Sequence, residues 1–157
     1  MIKKIRQSVF ETNSSSTHSI CIATDTTIDF PKSLHFEFGE FGWEYSTLNS
    51  IEEKASYLYT GLFSNERFKD IDSIINILET KNIIVTKEEA VGSTHSYKDS
   101  NGEIVFYTSY DKVVYIDHSD DMNSFLNEVT SNNESLFKYL FSPLSFVIIG
   151  NDNDDMM

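Results

Sequence analysis

The residues best suited to chemistry lie in one short run near the start of the chain. Residues 10–19 read Phe-Glu-Thr-Asn-Ser-Ser-Ser-Thr-His-Ser, so hydroxyl, amide and imidazole groups stand side by side. Short polar side chains of this kind bond nearby backbone groups and stabilise tight turns. Together with a row of backbone N–H groups they can also hold a phosphate. The candidate phosphate ligands are Thr12, Asn13, Ser14, Ser15 and Ser16.

His18 adds a group that can exchange a proton near neutral pH. One hypothesis is therefore a small enzyme, or a nucleotide- or phosphate-binding protein, that uses the loop from Ser14 to Ser19. Its catalytic candidates are His18, Ser16 and Thr17, and it predicts that His18→Ala leaves the fold intact but removes activity. The alternative is a self-bonded turn between two strands, with His18 hydrogen-bonded at its edge. The run lacks the glycine spacing and the lysine of a nucleotide loop, which favours the structural interpretation.

The tetrapeptide Ser-Thr-His-Ser occurs twice, around His18 and around His95. Two histidines beside hydroxyl groups suit phosphoester chemistry, in which one accepts a proton and the other donates one. Two-histidine phosphoesterases, however, carry a hydroxyl residue two positions after each histidine. Ile20 and Tyr97 occupy those positions here. The mismatch favours chance recurrence in a chain rich in serine and threonine.

The side chains that could ligate a metal do not form a complete set. A tetrahedral site needs four ligands that converge on one point. On a regular strand, residues three apart point to opposite faces, which separates the nearest candidate pair. The sequence therefore predicts no metal and no cofactor. The candidate ligands considered are His18, Cys21, His95, His118 and Asp120.

Three segments resemble a known group of proteins. Residues 9–19 read Val-Phe-Glu-Thr-Asn-Ser-Ser-Ser-Thr-His-Ser after a short basic stretch, residues 38–44 read Phe-Gly-Glu-Phe-Gly-Trp-Glu, and residues 54–60 read Lys-Ala-Ser-Tyr-Leu-Tyr-Thr. These segments, less than a quarter of the chain, are similar to small proteins of phages and prophages of low-GC bacteria. The resemblance carries over no catalytic residue. It implies a mobile-element origin, where interference with host machinery or host defence is a common role.

Composition predicts one globular domain. The chain has 157 residues, of which 39% are hydrophobic and 13% aromatic, enough to build a core. No apolar run approaches the ~18 residues of a membrane helix, and the basic N-terminus lacks the apolar core of a signal peptide. A single cysteine, Cys21, suits a reducing compartment. We expect a cytoplasmic protein that does not bind a membrane.

Charge is the second informative property. The chain holds 12 Lys and Arg against 25 Asp and Glu, a net charge of −13. Such a chain repels phosphate backbones, which argues against direct nucleic-acid binding. The carboxylates either solvate the surface or form a negative face for a basic partner. Duplex DNA carries one charge per about 1.7 Å of axis, and a face of carboxylates can imitate it.

The best candidate for partner binding is the acidic and aromatic segment of residues 38–45. Exposed tryptophan and tyrosine are typical of interface hot spots, whereas buried rings would anchor the loop to the core. Trp43 fluorescence distinguishes these alternatives. The predicted partner-binding residues are Glu37, Glu40, Phe41, Trp43, Glu44, Asp117, Asp120 and Asp121.

Helices and strands must position these groups. Ser50 and Glu53 form a capping-box pattern before apolar residues recur at helical spacing over 51–63, and a second stripe covers 68–78. The turn Asp-Ser-Asn-Gly at 99–102 predicts a hairpin, because Asn-Gly tolerates positive φ. Strands are predicted over 1–10, 18–23, 34–38, 83–85, 93–98, 103–110, 112–116 and 145–149, and two short helices over 120–129 and 134–141.

These elements predict a single α+β domain over residues 1–150. It has a mostly antiparallel sheet, a central helix pair and one or two C-terminal helices, followed by an acidic flexible tail over 151–157. The function favoured by charge and resemblance is non-enzymatic. We expect a phage or prophage protein that binds and inhibits a host protein in the bacterial cytoplasm. A CRISPR-Cas or other defence nuclease with a basic surface is the expected target.

Overall fold

A computed structural model describes residues 2–7, 16–24, 28–42, 45–116 and 122–151 of the chain. Ten strands and four helices occur within these ranges. In chain order they are β1 (Ile2–Gln7), β2 (Ser16–Ala23), β3 (Ser33–Phe36), β4 (Glu40–Phe41), β5 (Ser46–Leu48), α1 (Ile51–Ser64), α2 (Phe68–Glu79), β6 (Ile84–Lys87), β7 (Gly92–Lys98), β8 (Ile104–Tyr110), β9 (Tyr115–Ile116), α3 (Met122–Ser131), α4 (Asn133–Phe141) and β10 (Phe146–Asn151).

The main sheet has four strands in the order β1-β2-β10-β5, and all of its pairings are antiparallel. Because side chains alternate across a strand, His18, Ile20 and Ile22 lie on the same face of β2. Ile20 pairs with Val147 of β10, and both are completely buried. This face of the sheet forms one wall of the core.

The two central helices form where the apolar spacing predicts them. The Ser50 hydroxyl accepts a hydrogen bond from the Glu53 N–H at 3.1 Å, and the Glu53 carboxylate accepts one from the Ser50 N–H at 3.2 Å. This capping box starts α1. Helix α2 buries Ile71, Ile74 and Leu78 on one face.

No helix in the described ranges is long and apolar enough to cross a membrane.

The centre of the core is aromatic. The Phe125 ring lies 5.6 Å from the ring of Tyr57 and 5.0 Å from that of Tyr139, and all three residues are completely buried. Aromatic pairs in such tilted and edge-to-face arrangements add stability beyond their buried area. These rings join α1, α3 and α4.

Two short parallel strand pairs lie beside the main sheet. Strand β3 pairs with β6, and β4 pairs with β9. Between β3 and β4 the chain passes close to the core. A Cβ atom at Gly39 would lie 2.7 Å from the Phe41 ring, so a larger residue there would require this ring to move.

Strands β7 and β8 form a separate antiparallel hairpin. Its turn uses Gly102 at φ +79°, where glycine is favoured. Most residues of both strands are exposed. At the base of the hairpin, the Tyr110 ring packs edge-on against Phe63 of α1 at 5.1 Å.

The predicted α+β domain with a mostly antiparallel sheet, a central helix pair and two C-terminal helices is confirmed. The prediction of a strand over 112–116 is wrong in extent, because only Tyr115 and Ile116 pair with another strand. Strand β10 continues to Asn151, which the prediction assigns to the acidic tail. Residues 152–157 lie outside the described ranges, so the flexible tail stays a prediction.

Candidate functional site

His18 lies in the core. It is completely buried, and its Nδ1 is 2.7 Å from the hydroxyl oxygen of Tyr57. The interpretation that places His18 at the edge of a turn is therefore wrong. The reason is the strand period, which places His18 in phase with the buried residues Ile20 and Ile22. A substrate cannot reach this imidazole in the described conformation.

The predicted phosphate-binding loop is partly a strand. Strand β2 extends back to Ser16, and its backbone pairs Ser16 and Thr17 with Asn151 and Gly150 of β10. The expected tight turn is therefore absent over residues 16–19. The other candidate phosphate ligands, Thr12, Asn13, Ser14 and Ser15, lie outside the described residues.

Sequence reasoning missed a buried lysine that lies about one turn before Tyr57 on α1. Lys54 is 1% exposed, and its ammonium group donates a hydrogen bond to the Ser142 carbonyl oxygen at 2.8 Å. Burial lowers the pKa of Lys54 to about 8. No carboxylate among the described residues lies within 4.0 Å of its Nζ. Position 54 belongs to the apolar stripe of α1, next to Ala55 and one turn before Leu58. This spacing could have identified Lys54 as a buried residue.

Four residues form what we call the core polar cluster: His18, Lys54, Tyr57 and Tyr139. The Tyr139 hydroxyl donates a hydrogen bond to the Lys54 carbonyl oxygen at 2.8 Å. Burial raises the pKa of both tyrosines well above the usual range. Within the described chain the cluster is closed to solvent, so its groups bond to one another and to the backbone inside the core.

His95 lies in a different environment. It is exposed on β7, where its Nε2 is 2.8 Å from the Ser109 hydroxyl and its ring stacks on Tyr107 at a centroid distance of 5.1 Å. His18 belongs to the main sheet and faces α1, whereas His95 belongs to the separate hairpin. The structure therefore does not bring the two histidines together.

A group of carboxylates forms where β3 and β6 end. Because these strands are parallel, their carboxyl ends meet at one edge. We call Glu37, Glu40, Glu88 and Glu89 the acidic edge: Glu37, Glu88 and Glu89 follow the two strand ends directly, and Glu40 begins β4 three residues after Glu37. Glu37 and Glu40 are exposed, and the Glu89 side chain is 77% exposed. The sequence places Glu37 and Glu88 in separate clusters, and the pairing of Phe36 with Lys87 brings the two residues that follow side by side.

Glu88 connects the acidic edge to the backbone of Phe38 and to the side chain of Lys112. One carboxylate oxygen accepts a hydrogen bond from the Phe38 N–H at 2.8 Å, and the other lies 3.3 Å from the Lys112 ammonium group. The hydrogen bond from Phe38, and then the contact with Lys112, lower the pKa of Glu88. Burial, and then the charges of Glu89 and Glu88, raise the pKa of the Tyr59 hydroxyl to about 12.

Of the remaining predicted partner residues, Phe41 alone lies within the described ranges. The Phe41 ring is partly buried and packs edge-on against Tyr57 at 5.3 Å, which anchors the loop to the core. Ile116 pairs with Phe41 and is the last described residue before 117–121. The other predicted residues, Trp43, Glu44, Asp117, Asp120 and Asp121, lie outside the described ranges.

A groove of about 370 Å³ lies between the end of β2 and helices α3 and α4. Lys138 lines it, and its ammonium group donates to the Thr24 carbonyl oxygen and to the Glu134 carboxylate, the latter at 2.6 Å. These contacts give Lys138 a structural role in linking β2 to α4.

The described part of the chain contains no group of three or more His, Cys, Asp or Glu side chains placed to hold a metal ion. Comparison of the chain with protein-family models, with curated proteins and with solved structures found no match.

Proposed function

We propose that this protein is an acidic inhibitor of phage or prophage origin. It binds a bacterial host protein in the cytoplasm and occupies a basic surface that otherwise binds nucleic acid. A CRISPR-Cas or other defence nuclease is the expected class of target. The observation that carries the proposal is the acidic edge of Glu37, Glu40, Glu88 and Glu89.

The charge of this edge is largely available to a partner. No Lys or Arg among the described residues lies within 4.0 Å of the Glu37 or Glu40 carboxylates. Glu89 has only a long contact with Lys87, at 3.9 Å. Exposed carboxylates on neighbouring strand ends repel one another, and a basic partner relieves this repulsion. The net charge of −13 extends the same attraction over a longer range.

The placement of the histidines supports binding over catalysis. An acid/base pair needs two groups within reach of one substrate. His18 is enclosed by the core, and His95 lies on another sheet. The second candidate function, a phosphate or nucleotide site in the loop from Ser14 to Ser19, depends on residues outside the described ranges. Thermal-shift measurements with nucleotides and inorganic phosphate test it directly.

The binding experiment compares two triple variants that remove the same charge. The edge variant is Glu37→Gln, Glu40→Gln, Glu89→Gln, and the control is Asp29→Asn, Asp72→Asn, Glu79→Gln, all exposed positions elsewhere. Proteins of a low-GC bacterium captured by the wild-type chain are identified by mass spectrometry, purified and titrated. We expect the edge variant to bind about tenfold more weakly and the control to change little.

Salt and enzyme assays complete the test. Wild-type affinity should fall steeply as salt screens the charges, and the captured nuclease should regain activity with the edge variant. Equal losses in both triple variants would show that only total charge matters and would contradict the acidic edge. Binding that is insensitive to salt, or stabilisation of the free chain by a nucleotide with no partner captured, would overturn the proposal.

A further inference from the structure

The outer edge of β8 presents free backbone hydrogen-bonding groups. The Asp111 N–H donates to the Val91 carbonyl oxygen at 3.1 Å, so these two residues form a hydrogen-bonded pair. Bonded and non-bonded pairs alternate along an antiparallel ladder. Ile104, Phe106 and Thr108 therefore direct their N–H and C=O groups away from β7. No strand in the described part of the chain pairs with this edge.

This edge lacks the usual protection. Natural edge strands are guarded by lysine, proline or a bulge. Strand β8 reads Ile-Val-Phe-Tyr-Thr-Ser-Tyr, without charge, proline or glycine. Ile104, Phe106 and Tyr107 are 59%, 70% and 50% exposed. The outer edge of β7, by contrast, includes Gly92 and Lys98. Strand β8, which lacks these protective residues, has a higher β propensity than β7.

An uncharged strand suits the uncharged β8 best, and β8 of a second copy of this chain is such a strand. Two molecules of charge −13 repel each other, but β8 itself is uncharged. Antiparallel pairing of two β8 strands places the two hairpin bases at opposite ends of the new ribbon. Seven residues span about 20 Å, beyond the Debye length of about 8 Å at physiological salt. The charged bodies are then screened from each other while the apolar strands meet.

We propose that two copies dimerise through β8, antiparallel across a two-fold axis at Phe106. A two-fold contact uses the same patch on both partners, which an antiparallel strand pair satisfies. With the axis at Tyr107, Glu103 of one copy would lie opposite Asp111 of the other, and like charges in that position are destabilising. With the axis at Phe106, Glu103 lies opposite Ser109. The dimer contains a four-stranded ribbon in the order β7-β8-β8-β7.

Oligomeric state tests this dimer without any host partner. Phe106→Lys places a charged side chain in the proposed interface, which opposes pairing of the two strand edges. Ser96→Lys is the matched control, because Ser96 is paired with Phe106 but lies on the other edge of the hairpin. Sedimentation velocity from about 1 to about 500 µM should show a dimer for the wild type and for Ser96→Lys, and a monomer for Phe106→Lys. A wild type that stays monomeric, or a Phe106→Lys protein that still dimerises, would overturn the proposal.

Cross-linking tests the register. Residues opposite each other in a bonded antiparallel pair have Cα atoms about 5.5 Å apart, within disulfide range. Phe106→Cys should therefore form a covalent dimer under a mild copper and oxygen oxidant, whereas Ser96→Cys should not. The natural Cys21 is buried and serves as background in both variants. Cross-linking at position 96 alone, or at neither position, would contradict pairing through β8.

Discussion

The same tetrapeptide, Ser-Thr-His-Ser, lies in two strands of this protein with opposite surroundings. In β2 its histidine, His18, is completely buried and contacts the Tyr57 hydroxyl. In β7 its histidine, His95, is exposed and contacts Ser109 and Tyr107 of the neighbouring strand. Identical local sequence therefore produces the same secondary structure and two different roles.

The two histidines differ in burial because β2 and β7 differ in the number of neighbouring strands and helices. Strand β2 has a partner strand on each side, β1 and β10, and it also packs against α4 and against Tyr57 of α1. Strand β7 pairs only with β8 within the described ranges. Short polar residues are compatible with either environment, provided their hydrogen-bonding groups find partners. Burial thus depends on the strands around the tetrapeptide and not on its residues.

Replacing each histidine by alanine should give the largest contrast. His18→Ala leaves a cavity and removes the hydrogen bond to Tyr57, so we expect the free energy of unfolding to fall by about 3 kcal/mol. This revises the earlier prediction that the fold tolerates the change. His95→Ala removes only exposed contacts and should cost less than about 0.5 kcal/mol. Urea unfolding of both variants measures the difference, and equal losses would show that the two environments are not distinct.

The pH dependence of stability tests the burial of Lys54. Burial lowers the Lys54 pKa from 10.5 to about 8 in the folded protein. Between these values the unfolded chain binds a proton that the folded chain lacks, so stability rises with pH. We expect a gain of about 2 kcal/mol between pH 8 and pH 10. Above pH 10 the buried tyrosines reverse the trend, because the folded state retains protons that the unfolded state loses.

Lys54→Met is the control for this measurement. Methionine keeps much of the buried length but cannot be protonated. The wild-type free energy of unfolding minus that of Lys54→Met, plotted against pH, should be flat below pH 8 and rise above it. A difference curve that is flat throughout would mean that the ammonium group is not desolvated. The hairpin lysine Lys98, which is exposed, provides a second comparison through Lys98→Met.

Tyr57→Phe should have the smallest of the three effects expected in the core, after the loss of stability in His18→Ala and the pH dependence caused by Lys54. It keeps the ring packing against Phe125 and Phe41 and removes the hydroxyl near His18. Loss of one buried hydrogen bond should lower the free energy of unfolding by about 1 kcal/mol. Tyr107→Phe in the exposed hairpin is the matched change and should have no measurable cost. Thermal or urea unfolding of both proteins checks this; a larger cost in the hairpin would reverse the comparison.

Elements stabilised by neighbouring residues were predictable from the sequence. The capping box of Ser50 and Glu53 and the apolar stripe of α2 predicted both central helices. The turn that contains Gly102 predicted the hairpin. These features depend on contacts between residues a few positions apart, so their spacing in the chain is sufficient information.

The candidate site was only partly predictable. Glu37 and Glu40 were identified from the sequence, but the proximity of Glu37 to Glu88 depends on the parallel pairing of β3 with β6. The two strands are separated in the chain by both central helices. A parallel pairing at this separation leaves no local pattern that identifies the partner strand.

The amino-acid sequence was enough to predict the class of fold, the two central helices and the hairpin, and it fixes the strong negative charge. Only the packing of the folded chain shows that His18 and Lys54 are core residues, and that one strand edge of the hairpin has no partner strand within the described residues. The physical reason is that burial and proximity are properties of packed surfaces. A residue's own type limits what it can contact, and its neighbours in the fold decide what it does contact.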